Sequence, residues 1–321
     1  MKDSEFNDQL LGYLRLVTGK PRIGYADRPS RLEGGYDTDV FRFAVHGLPP
    51  LVLRMYRTEN DASRAIAEGT VQNVLATQGY PTPRVHHMCT DPNVLGRPFI
   101  IMDYIEGRSL LEAGEPLASR LMGEVHAELH DIDTAPIIRA LGDQGMLAER
   151  TLAGRLEAMA AHRARFPAIA PAIDWLIESR PDESTLSICH GDFHKLNVLA
   201  KDDSVAAVID WSGATVQEAA FDVASTDISF SIVARHLMDT GDFDVVDLDE
   251  VLYDYHSAYE ARRTLDRSHF DYYRVQRATM ILVITSLGFG GFRLRTLLDD
   301  LASLINEISG CNVTADDTGV I

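Results

Sequence analysis

The chain has 321 residues, 45% apolar and 24% charged, a globular rather than a disordered composition. Its 30 Lys and Arg against 48 Asp and Glu leave a formal charge of −18, which argues against a general nucleic-acid binder, because such proteins cluster cations. The acidity is uneven: residues 1–106 hold 12 basic and 13 acidic side chains, net −1, whereas residues 107–321 hold 18 and 35, net −17.

At about twice the length of a typical domain, the chain is expected to form one large core or two lobes. Leu10, Leu14 and Val17 have the spacing of an opening amphipathic helix. The acids scattered through that segment interrupt any signal-peptide-like apolar stretch. VFRFAV (40–45) and LVLRMY (51–56) are rich in β-branched and aromatic residues, and the Gly-Leu-Pro-Pro turn at 47–50 makes them an antiparallel pair. Residues 60–78 read as a helix capped by Asn60 or Asp61, with Ile66, Val71, Val74 and Leu75 inward and Gly79 and Pro81 stopping it. Two more strand-like pieces, 84–88 and 98–104, lead to Glu106-Gly107. Beyond that point Leu117, Leu121, Val125 and Leu129 recur every four residues, and 150–180 and 245–310 are mainly helical in period. Between those stretches lie two short apolar pieces, 196–200 and 205–209, each joined to a polar cluster.

Cys89, Cys189 and Cys311 are three, without close spacing, so neither a disulfide framework nor a Cys-based zinc site is indicated. The longest apolar run, Met280–Leu287, is too short to cross a bilayer. A cytoplasmic protein without membrane or nucleic-acid partners, a monomer or homodimer, is the expectation.

The densest polar cluster is His190-Gly191-Asp192-Phe193-His194-Lys195-Leu196-Asn197, followed after a short hairpin by Val208-Ile209-Asp210-Trp211. A carboxylate, an amide oxygen and a second carboxylate thus come from the two arms of one hairpin, a hard-oxygen set that suits Mg²⁺ together with phosphate oxygens. Taken singly, each of these residues is an ordinary turn former. No third nitrogen or sulfur ligand accompanies His190 and His194, which disfavours zinc.

The stretches SICHGDFHKLNVLA, AVIDWSGA and AAFDVA, supported by LVLRMY, the Glu68 helix and PFIIMDYIEG, resemble the aminoglycoside phosphotransferase family over roughly residues 30–230. The resemblance implies a bilobal, protein-kinase-like α+β fold. Residues 1–106 would form a small antiparallel-sheet lobe that binds nucleotide, with a hinge at about 103–107. Residues 107–321 would form a larger helical lobe with the catalytic loop 190–197, the metal-binding turn 210–213 and the acceptor site. It implies Asp192 as the catalytic carboxylate beside the acceptor hydroxyl, Asn197 and Asp210 as Mg²⁺ ligands, and His190 and Asp222 as structural supports of that loop. Arg54 stands where protein kinases place a Lys, with Glu68 as its partner, and the backbone near Asp103 and Ile105 would meet the nucleobase. Gly34 and Gly35 fit either a hairpin turn or a phosphate-covering loop, and GGYDTD lacks a full G-x-G-x-x-G.

The expected activity is Mg²⁺-dependent transfer of the γ-phosphoryl of ATP or GTP to a hydroxyl of a small acceptor. An antibiotic (an aminoglycoside, another cationic compound or a macrolide) and a metabolite such as choline, homoserine or a sugar both remain open, as does a pseudokinase. A protein kinase is disfavoured, because Trp211-Ser212 follows the metal-site Asp and no Ala-Pro-Glu-like segment follows it. The acidic second part suits a cationic acceptor, or serves solubility alone. Glu218, Asp227, Asp299 and Asp300 are possible acceptor contacts that nothing in the sequence singles out, and Tyr272, Tyr273, Phe289 and Phe292 fit core packing first and an aromatic cleft second.

Overall fold

The computed structural model describes residues 3–32, 38–239, 247–289 and 294–319. Gly34, Gly35 and Phe292 lie outside these. The chain divides into two compact units, Met1–Glu106 and Gly107–Ile321.

The first unit runs α1 (Asp3–Thr18), β1 (Tyr25–Arg31), β2 (Thr38–Val45), β3 (Leu51–Tyr56), α2 (Ala62–Thr77), β4 (Val85–Cys89), a short α3 (Pro92–Leu95) and β5 (Phe99–Asp103). The strands form one antiparallel sheet in the order β1-β2-β3-β5-β4. Side chains alternate faces along a strand, and β3 shows the consequence. Leu51, Leu53 and Met55 join Leu10 and Leu14 of α1 in one apolar cluster, while Val52 and Tyr56 join Ala65 of α2 in another. The sheet is therefore covered on both faces, and every residue of β3 is buried. Arg54 shares the parity of Val52 and Tyr56, which turns it toward α2. Val17 does not complete the stripe begun by Leu10 and Leu14; it is exposed near the end of α1.

The second unit contains β6 (Arg108–Ser109), α4 (Leu117–His130), α5 (Ala135–Asp143), α6 (Leu152–Ala160), α7 (Ala170–Glu178), β7 (Ser187–Cys189), β8 (Val198–Lys201), β9 (Ser204–Val208), β10 (Thr215–Gln217) and α8 (Ala219–Ile228). A π-helical turn (Ser229–Ala234) follows, then α9 (Arg235–Asp239), α10 (Leu248–Arg262), α11 (Phe270–Ser286) and α12 (Arg295–Ser309). Along α4, Leu121, Val125 and Leu129 are buried as their spacing predicts. Gly123 admits the backbone of α10 so closely that a Cβ there would lie 2.3 Å from Tyr255 O.

Four short strands position the polar loops. β7 pairs with β10, Cys189 opposite Thr215, and β8 pairs with β9, Val198 opposite Val208. Residues 190–197 join β7 to β8, and residues 209–214 join β9 to β10. Two ladders thus hold the two loops side by side. The β8–β9 connection places Asp202 and Asp203 at φ 51° and 58°, the doubly left-handed turn favoured in two-residue hairpins and tolerated by Asp.

Candidate active site

Asp192, Asn197 and Asp210 come together at the open end of the β8–β9 hairpin. Ile209 N–H donates to Asn197 O at 2.9 Å, continuing the ladder one step past the paired strands. Asn197 is buried and spends its amide N–H on Asp192 O at 3.0 Å, leaving Oδ1 as the oxygen to offer a cation. Asp210 sits at φ 64°, ψ 69°, a left-handed conformation that costs a non-glycine residue energy. The Ser212 hydroxyl donates to its Oδ1 at 2.8 Å. One amide oxygen and one carboxylate, beside a second carboxylate, are a donor set that fits Mg²⁺, which accepts few protein ligands and keeps its waters.

His190 is buried and bridges the two loops. Its Nε2–H donates to Ile209 O at 2.9 Å, so its Nδ1 accepts the Asp192 N–H at 3.3 Å. Gly191, at φ 80°, brings the loop so close to the turn that a Cβ on it would lie 2.3 Å from Gly213 O. Asp222, in the first turn of α8, takes His190 N–H at 2.5 Å on Oδ2 and Gly191 N–H at 2.8 Å on Oδ1.

The same Asp222 Oδ2 meets His126 Nε2 at 3.0 Å and His130 Nε2 at 3.4 Å. These two rings lie one turn apart on α4, and their Nδ1 atoms meet the hydroxyls of Tyr255 and Tyr259, one turn apart on α10, at 2.7 Å each. All of these side chains are buried. Burial pushes His126 down to about 4 and lowers His130 as well. Burial opposes the Asp222 charge too, but the two histidines outweigh it and hold the carboxyl well below its usual range. Neutral imidazoles donating to an ionised carboxylate explain the whole cluster. Its ligand atoms lie within 4.8 Å of one another, yet each ring nitrogen already has a hydrogen-bond partner and the carboxylate has four. The hydrogen-bond network accounts for it without a metal.

Sequence reasoning missed Arg277. From α11 its guanidinium donates to Gly191 O at 2.9 Å and to Asp192 Oδ1 at 2.7 Å. The Asp192 side chain is 46% exposed, and His194 Nε2 lies 3.4 Å from its Oδ2. Partial burial raises its pKa, but His194 and Arg277 outweigh that and hold it well below the ordinary carboxylate range. Nothing in the sequence marks a lone Arg 85 residues away. His126 with His130, and Tyr255 with Tyr259, did leave a signal in their matching four-residue spacings.

In the first unit, Arg54 Nε lies 3.4 Å from Glu68 Oε1, and the Tyr56 hydroxyl donates to Glu68 Oε2 at 2.5 Å. All three side chains are buried. Asp103 ends β5 with its carboxylate occupied, accepting Arg84 N–H at 3.0 Å and meeting His86 Nε2 at 2.7 Å. Ile105 follows in the partly exposed segment that leads out of the unit.

One candidate contact is withdrawn. Glu218 is a buried helix cap whose oxygens are taken by Ser184 N–H, His269 and the Tyr273 hydroxyl, so it is not an open acceptor contact. Tyr272 and Tyr273 take the core role, bonded to Leu176 O and to Glu218. Phe289 is exposed. Asp299 and Asp300 are exposed, paired with Arg295 and His236, and Asp227 is mostly buried between Arg274 and His256.

A profile of the phosphotransferase enzyme family, APH, matches residues 29–267. A protein from Ralstonia eutropha JMP134 assigned to the aminoglycoside phosphotransferases is similar in structure, with a TM-score of 0.65 at 21% identity over 94% of this chain and 98% of that one. An aminoglycoside phosphotransferase APH(4)-Ia, held with AMP-PNP and hygromycin B, gives a TM-score of 0.57 at 18% identity over 94% and 99% of the two chains. Among curated proteins, acyl-CoA dehydrogenase family member 11 of Gallus gallus is 29% identical over 209 residues, 60% of this chain and 25% of that protein. The chain spans between 16% and 27% of the length of the curated relatives it matches.

Proposed function

Since the chain belongs to the aminoglycoside phosphotransferase (APH) family of phosphotransferases, we propose that it is a small-molecule kinase transferring the γ-phosphoryl of ATP or GTP to an acceptor hydroxyl. The observation that carries this reading is the convergence of Asp192, Asn197 and Asp210 on two loops locked by His190 and Asp222. In this reading the exposed Asp192 carboxylate orients the acceptor hydroxyl and receives its proton late, because phosphoryl transfer passes through a loose transition state. Its depressed pKa suits an orienting anion better than a strong base. Asn197 Oδ1 and the Asp210 carboxylate would hold Mg²⁺, which when bound neutralises charge on the phosphates. Arg54, held by Glu68, is read as the arm for nucleotide phosphates, since a guanidinium keeps its charge even when buried. That a relative of the same fold was solved with AMP-PNP favours an adenine nucleotide as donor.

For the acceptor, the −17 charge of residues 107–321 favours a cationic compound, whose local concentration that charge would raise. With Glu218 withdrawn, the remaining candidates are the exposed Asp299 and Asp300. A coupled ADP- or GDP-release screen across aminoglycosides, other cationic antibiotics, macrolides, amino alcohols and sugars tests the reading. Release stimulated by a cationic acceptor supports it. Tight nucleotide binding with silence on every acceptor would replace it with a regulatory pseudokinase.

A further inference from the structure

We propose that Arg150 and Arg155 are positioning residues for the metal-binding turn, gripping its backbone from outside so that Asp210 stays aimed at the hairpin end. The inference rests on the kinase reading of Asp210 as a Mg²⁺ ligand. Three successive carbonyls of the turn are captured. Arg150 Nη1 donates its two protons to Ser212 O at 2.9 Å and Ala214 O at 3.0 Å. Arg155 Nη2 donates to Gly213 O, between them, at 2.9 Å. Arg150 closes the short 3₁₀ turn ahead of α6, and Arg155 stands in the first turns of that helix. An isolated parallel bridge between Thr151 and Val216 ties the same segment to β10. Arg150 is buried, so its guanidinium has been withdrawn from water to make these bonds, a cost that hydrogen bonding must offset.

The turn needs such a grip. Asp210 holds a left-handed backbone that a non-glycine residue leaves unless its surroundings over-determine it. On the catalytic-loop side the turn meets Gly191; on the other side it meets the two arginines. Fixing carbonyls 212–214 removes the freedom by which residue 210 would relax and carry its carboxylate with it.

The sign of the effect separates this role from a bystander's. Two guanidinium charges near a metal-binding turn repel a divalent cation. If they did nothing else, removing them would leave Mg²⁺ binding unchanged or tighter. If they position Asp210, removing them weakens it.

The test is calorimetric binding of AMP-PNP to the full chain, with and without Mg²⁺, for wild type, Arg150→Gln, Arg155→Gln and Arg150→Lys. The expected result is a Mg²⁺ requirement raised about tenfold in each Gln variant, corresponding to about 1.4 kcal/mol. Binding in EDTA should stay within about twofold, and Arg150→Lys, which keeps the charge and donors on a shorter arm, should recover part of the loss. Should buried Arg150 prove necessary for folding, the less buried Arg155→Gln carries the test. Variants that fold and bind Mg²⁺ as well as or better than wild type overturn the proposal while leaving the kinase reading intact. A wild type that binds no nucleotide overturns both.

Discussion

Gly191 is where the backbone of the candidate site has least room, and its replacement by Ala measures that directly. Two costs add. At φ 80° an L-residue is strained by about 1–2 kcal/mol. The new Cβ would also lie 2.3 Å from Gly213 O, a backbone atom that yields only if the 209–214 turn moves, an overpacking cost of about 1–3 kcal/mol. The sum, about 2–5 kcal/mol, is a large part of the 5–15 kcal/mol typical of a folded protein. In a unit of this size each kcal/mol lowers the melting temperature by about 2–4 °C, so a fall of about 4–20 °C is expected by differential scanning calorimetry. Acceptor-dependent ADP release should fall further, by about a hundredfold, because separating the loop from the turn by an ångström misplaces the reacting groups. Gly213→Ala is the internal control. Its Cβ would find His190 O at 3.1 Å without a left-handed backbone, so the loss should be much smaller. If Gly191→Ala melts within about 2 °C of wild type and keeps its turnover, the close approach of the two loops is wrong.

Asp192→Asn should lower ADP release by about a hundredfold or more while AMP-PNP affinity stays within about twofold. Asn is preferable to Ala because it leaves the buried Arg277 guanidinium a polar partner, and retention of full turnover would remove Asp192 from the chemistry. Tyr56→Phe deletes the hydroxyl on Glu68 and should cost about 1.5–3 kcal/mol in thermal unfolding; an unchanged melting temperature would count against the Tyr56–Glu68–Arg54 chain. His126 supplies a pH dependence. Its folded pKa is about 4 against an ordinary 6.5, so between these values the unfolded chain binds the extra proton. Stability is therefore fully present above about pH 6.5 and declines as pH falls toward 4, by at most about 3 kcal/mol, with His130 acting in the same direction. Equal melting temperatures at pH 7 and pH 5 would contradict the neutral buried rings.

Local patterns announced much of the architecture, because their cause is local. The β-branched and aromatic run LVLRMY marked β3, the family resemblance paired its Arg54 with Glu68, and the four-residue period of 117–129 located the buried face of α4. β1 carries no strand period of its own: an edge strand with one face in solvent, it reads YADRPSR, and a Pro is tolerated there because an edge has unpaired N–H groups. β7 and β10, three residues each, were too short to carry any period.

The motif residues were legible from their local spacing alone. Asp192, Asn197 and Asp210 are near neighbours in the chain, and a single tight hairpin between them leaves few ways to arrange them. Tertiary structure alone decided what holds them. The carboxylate of Asp222 reaches back across 32 residues to His190 and is met by histidines from 96 and 92 residues away. Arg277, Arg150 and Arg155 arrive from helices or turns 85, 62 and 58 residues distant from their partners. Buried polar groups must find partners wherever packing brings one within about 3 Å, and that proximity depends on how helices stack, a property absent from any short stretch of sequence. The same packing buried Glu218 while leaving Asp299 and Asp300 exposed. Acidic residues that look alike in the sequence thus end in opposite surroundings, one bonded inside the fold and two facing solvent.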